Sequence, residues 1–154
     1  MYNDTISIKA KTFSVNLHIK SIISVNVKED TRDYKFLLDM LEALKNVNAS
    51  NILESNININ DIIICRKETD IQNLLVLNSD CTGKTIFIDR YDFYKSDELD
   101  KFILSGKNRI ILMSHTFYNR LNLHSESFIM INYTKDLRLF YTDALINHLD
   151  EEII

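Results

Sequence analysis

Apolar and polar residues alternate through the start of the chain. Residues 5–11 (TISIKAK) and 13–20 (FSVNLHIK) change character at every step. Successive side chains of a strand face opposite ways, so this pattern predicts two half-buried strands. Residues 21–27 (SIISVNV) are more continuously apolar, as expected of an interior strand. The period then changes. Leu37, Met40, Leu41, Leu44 and Val47 recur at helical spacing within residues 29–47. Asp30 is placed to cap that helix, and Asp33 puts a second acid in its first turn.

The middle of the chain repeats the theme. Residues 51–60 (NILESNININ) alternate only near their end and fit neither period well. Residues 61–65 (DIIIC) read as a short buried strand. Residues 68–78 read as a helix, with Thr69 or Asp70 as its cap. A strand is predicted at 84–90 (KTIFIDR). The helix at 96–106 has Ser96 as cap, Glu98 in its first turn and Gly106 as its stop. Another buried strand follows at 108–115. Residues 128–142 divide into two strands around a polar turn at 134–136, and residues 142–154 suit a closing helix. Strands alternating with helices, flanked by antiparallel pieces, predict one α/β domain over residues 1–154 with a mainly parallel central sheet.

Composition narrows the chemistry. A net charge of -4 offers no global field for nucleic acid or anionic lipid. No apolar run approaches the roughly 20 residues that cross a bilayer, so no membrane partner is expected. The first residues lack a basic segment followed by an apolar one, which points to a cytoplasmic protein. Cys65 and Cys81 lack metal-ligand spacing and read as thiols of a reducing compartment. The chain has two glycines and no proline. Glycine lets backbone wrap a phosphate closely, so its scarcity weighs against a nucleotide loop.

One stretch raises the nucleotide question directly. In NSDCTGKT (78–85), Gly83, Lys84 and Thr85 match the end of G-x-x-x-x-G-K-[ST], with Asn78 in place of the first glycine. A phosphate loop must run into a helix, but Lys84 is followed by β-branched and aromatic residues that predict a strand. A polar turn feeding a strand is the expectation, with Gly83 as a turn residue. His18, His115, His124 and His148 are not spaced as metal pairs. Asp89, Asp92, Asp97 and Asp100 lack the tight spacing and glycine turn of a calcium loop. Tyr91, Phe93 and Tyr94 lie just past a predicted strand end, where α/β proteins place functional loops. They are candidates for contact with a protein partner, and core packing is the other reading. Residues 114–125 mix Arg120 with two histidines and two aromatics, a weak nucleic-acid signal in an acidic chain.

The stretch TIFIDRYDFYKSDELDKFILSGKNRIILMSH (85–115) resembles the second half of a P-loop ATPase core of the ATP-binding-cassette or related type. There an apolar strand ends in the Walker B aspartate, a helix follows, and a second strand ends in a polar sensor or switch residue. Asp89 matches the first position, and Ser114 or His115 the second. The resemblance implies a Walker A loop between residues 21–27 and the helix at 31–47. That loop reads NVKEDTRDYK, with no glycine and no G-K-[ST], and Glu29, Asp30 and Asp33 lie where phosphate would bind. The position after Asp89, often a catalytic Glu in the family, is Arg90. The resemblance therefore implies a degenerate P-loop ATPase-like fold that binds another protein, with no catalysis, cofactor or metal. The alternatives are a nucleotide-binding NTPase using Lys84 and Asp89, with His115 at the sensor position, or a nucleic-acid-binding module. The loop at 27–31 is expected to form no anion cradle, with the Asp30 carboxylate taking the first free N–H groups of the helix.

Overall fold

The computed structural model describes residues 4–46 and 51–144. The alternating segments form β1 (Thr5–Ala10) and β2 (Ser14–His18), followed by β3 (Ile23–Val27) and α1 (Arg32–Asn46). Then come β4 (Ile52–Ser55), β5 (Ile62–Cys65), α2 (Glu68–Leu77), β6 (Thr85–Ile88) and α3 (Asp97–Leu104). The described part closes with β7 (Arg109–Ser114), β8 (Phe128–Thr134) and β9 (Leu139–Ala144).

The nine strands of the described residues share one sheet, ordered β4-β1-β2-β9-β8-β3-β7-β6-β5. From β5 to β8 every neighbouring pair is parallel. The hairpin β8–β9 is antiparallel, as is β1 with both β2 and β4, while β2 lies parallel to β9. The fold is thus mixed α/β, parallel along one half of its sheet. The parallel pairing of β2 with β9, far apart in sequence, joins the N-terminal pieces to that half.

The connectivity forces this sheet to curl. β4 and β5 stand at opposite ends of the strand order, yet only residues 56–61 connect them. Nine flat strands put their outer members about 38 Å apart, at roughly 4.8 Å per spacing. Fully extended chain from Ser55 to Ile62 reaches only about 25 Å. The two halves therefore approach each other. Arg109 at the start of β7 donates to the Thr5 carbonyl of β1 at 3.5 Å, although the two strands are not neighbours.

The curl encloses α1. Tyr34, Leu37, Leu38, Leu41 and Leu44 form its buried face. They pack among Ile6, Ile8, Val15 and Leu17 of the first two strands and among Ile62, Phe87, Ile111 and Met113 of the parallel half. Leu38 completes the buried stripe and Met40 is only partly covered; Val47 lies outside the described residues. The opposite face of the parallel strands carries α2 and α3. Ile71, Leu74, Leu99, Phe102 and Ile103 meet Ile86, Ile88, Ile110 and Leu112 there. Covering on both faces explains why β6 and β7 read as unbroken apolar runs.

Several local expectations are met and others are corrected. The Ser96 hydroxyl accepts the Leu99 N–H at 3.2 Å, and Gly106 follows α3 at φ +73°. The N-cap of α2 is Lys67, with no side-chain cap bond, in place of Thr69 or Asp70. Asp70 lies inside the first turn and accepts the Arg66 N–H at 2.9 Å, satisfying a donor just before the helix. Residues 142–144 extend β9, where cross-strand pairing with β8 overrides the helical reading. The rest of the predicted closing helix, 145–154, lies outside the described residues.

Candidate functional site

Parallel strands end along a common edge, and the helices that follow them begin there. In open α/β sheets this edge is where ligands bind. Here it gathers Lys28–Thr31 after β3, Arg66 after β5, Asp89 after β6 and His115 after β7.

At the N-terminus of α1 the chain's own groups take up one backbone donor and pair the nearby charges. Asp30 Oδ1 accepts the Arg32 N–H at 3.0 Å, and the Arg32 guanidinium clasps the same carboxylate at 2.7 and 3.1 Å. The Lys28 ammonium lies 2.5 Å from Asp33 and 2.7 Å from Asn132 Oδ1. Residues 27–31 contain no positive φ, so the backbone does not turn successive N–H groups inward. The expected Asp30 bond is thus present at one N–H group, that of Arg32.

Hydrogen bonds from the Arg32 side chain, and then from its backbone N–H, hold the Asp30 carboxyl down to about 2. The unfolded value is about 3.9. A depressed folded value means that this contribution to stability is complete above the unfolded value. It fades as pH falls from about 4 toward about 2. Acid titration of unfolding should therefore show a component in that window that Asp30→Asn removes.

Asp89 is 4% exposed, and its N–H continues the ladder to the Cys65 carbonyl at 2.8 Å. Its Oδ1, the Tyr34 hydroxyl and Asp92 Oδ1 are all buried and make no hydrogen bond of ordinary geometry among the described residues, although the Tyr34 hydroxyl faces both Thr31 and Asp89. Burial first, and then the Asp89 carboxylate, push the Tyr34 hydroxyl well above its ordinary range. The His115 ring lies edge-on to Tyr34, with centroids 6.5 Å apart. Ser114 bonds the Thr116 carbonyl at 2.6 Å, so its hydroxyl serves a turn. Arg66 contacts Asp39 and Glu42 of α1. Among the described residues no group of three or more His, Cys, Asp or Glu side chains is arranged to hold a metal. Tyr34 and Arg66 carry no motif that would have placed them here; only the strand order does so.

The aromatic cluster divides. Tyr91 is 1% exposed, with the Arg120 guanidinium 4.0 Å above its ring, so it follows the core-packing reading. Phe93 is 66% exposed, with Arg90 5.8 Å from its ring, and Tyr94 is half-buried. Arg120 holds Asp100 at 2.8 and 3.2 Å, so it is committed inside the protein.

Lys84 lies at the other end of β6 from Asp89, about 16 Å away by strand rise. Asp89 and His115 share an edge that Lys84 does not reach. The turn before Lys84 enters a strand, as expected, and buried Asn108 fastens it. Asn108 accepts the Lys84 N–H and donates to the Cys81 carbonyl, both at 3.0 Å. Asn108→Ala leaves two backbone groups unsatisfied and should cost about 2 kcal/mol in urea unfolding. No family model, curated protein or solved structure matches this chain.

Proposed function

We propose that the chain is a non-catalytic protein-binding or regulatory domain whose layout is that of a degenerate P-loop ATPase. The strand order β5-β6-β7-β3-β8, parallel throughout, supports the layout. It sets the Asp89 strand beside the Ser114–His115 strand, and that one beside the strand leading into α1. The observation that carries the absence of nucleotide chemistry is Asp30. Its carboxylate occupies the helix end where a phosphate would sit, and Lys28 is drawn away to Asp33 and Asn132. Phe93, exposed on the loop after Asp89, is the residue we assign to partner contact, with Tyr94 beside it. The setting we assign is cytoplasmic, in keeping with the free thiols Cys65 and Cys81. Among the described residues no helix is long and apolar enough to cross a membrane.

The NTPase alternative needs Lys84 and Asp89 together, and the two stand at opposite edges. A hydrolysis assay tests the reading. Magnesium-ATP turnover should stay at background and be the same in Asp89→Ala. Turnover that Asp89→Ala abolishes would overturn it.

A further inference from the structure

The opposite edge of the parallel half, where the strands begin, holds a cleft of about 580 Å³. That lies within the range of small-molecule pockets. Lys84, Lys107 and Arg109 line it, against the single carboxylate of Asp61. Among the described residues the lining thus carries more positive than negative charge, in a chain whose net charge is -4. Lys84 is paired with Asp61 at 2.9 Å. Arg109 is held in place by Thr85 Oγ1 at 3.3 Å and by the Thr5 carbonyl. Lys107 makes no ion pair or side-chain hydrogen bond among the described residues.

Local structure does not account for Lys107. It follows α3, where a cation can complement the carbonyl end of a helix. Ser105 already serves that end, its N–H and hydroxyl both reaching the Phe102 carbonyl, at 3.3 and 2.7 Å. Both glycines of the chain, Gly83 and Gly106, lie on the rim at positive φ, and a Cβ on either would meet open space. The Gly83 N–H already donates to the Lys107 carbonyl at 2.9 Å, which ties the two rim turns together, and the open flank of both glycines leaves room for a ligand beside the three cations.

We propose that this cleft binds a phosphate monoester of a small polar molecule. A monoester carries nearly two negative charges at neutral pH, since its second pKa is about 6. That charge balances the excess of the lining. The volume leaves room beyond the phosphate for an organic group against Ile22, Ile57 and the side-chain amide of Asn58. The site lies on the edge away from Asp89 and from the N-terminus of α1, so it stands whether or not the ATPase-like reading does.

The test is amide chemical-shift mapping of the full chain with AMP and with glucose 6-phosphate, using adenosine and glucose as uncharged controls. Both esters should saturably perturb the amides of Gly83, Gly106 and Lys107, while the controls do not. Lys107 is exposed, so Lys107→Glu should keep the melting temperature and weaken both esters by at least about tenfold. No saturable change at these amides at millimolar ester overturns the proposal. So does an equal response to the uncharged controls, an undiminished affinity in Lys107→Glu, or tighter binding of duplex DNA that weakens steeply with salt.

Discussion

Replacing Leu38 with alanine should destabilise the protein by about 3 kcal/mol, within the range for buried leucines. Leu38 is fully buried on α1, in a core drawn from both halves of the curled sheet. The cost depends on whether the walls can collapse into the space left behind. Here they are tied at several points. Residues 56–61 link the sheet ends, Lys84 reaches Asp61, and Arg109 reaches the Thr5 carbonyl. Little relaxation is available, so a cavity term adds to the lost transfer energy. Val76, 76% exposed on α2, provides the contrast: Val76→Ala should stay within about 0.5 kcal/mol. Urea unfolding of both variants, with unchanged m-values, checks the pair. A Leu38→Ala loss below about 1 kcal/mol would mean that α1 is not enclosed.

Arg120→Ala should cost nearly as much. The Arg120 and Asp100 side chains are 14% and 24% exposed, so the pair is largely withdrawn from water. Removing one member leaves a carboxylate with its desolvation penalty, no cation and only the long 3.5 Å bond from the Tyr91 hydroxyl, which costs about 3 kcal/mol at the lower end of the buried-pair range. The same change uncovers the face of Tyr91, whose ring lies 4.0 Å from the guanidinium carbon. Arg120→Lys should recover only part of the loss, because an ammonium cannot grip both carboxylate oxygens and stack on the ring together. A double-mutant cycle with Asp100→Asn measures the coupling. A coupling near zero would show that the pair adds nothing beyond packing.

Most elements were legible because each needs only local information. Period-two alternation marked β1 and β2, the 3.6 period marked α1, and Ser96 with Gly106 bracketed α3. Burial partners were a different matter. Hydrophobicity shows that a residue is covered without showing what covers it, so the curl of the sheet and the β2–β9 pairing could not be read. Tyr91 illustrates the limit. Its position past a strand end suggested a contact surface, but Arg120 and Tyr118, nearly thirty residues on, return to cover it. Lys84 is the converse case. The NTPase alternative used it together with Asp89, and the four residues of β6 hold the two apart. At the candidate site, the bond from Asp30 to the start of α1 was legible because the two are neighbours in sequence. Tyr34, Arg66 and Asn108 were not, since each acts on groups brought in by other elements.

The central claim is that the edge holding Asp30 and Asp89 takes no nucleotide because its own side chains already occupy the ligand's place. Amide chemical-shift mapping with magnesium-ATP tests this most directly, since it reports where binding occurs as well as whether it does. The account predicts no saturable change at residues 28–34, 66, 89–92 or 115, whatever happens at Gly83 and Lys107. Saturable perturbation of the 30–34 amides together with Asp89 would contradict it.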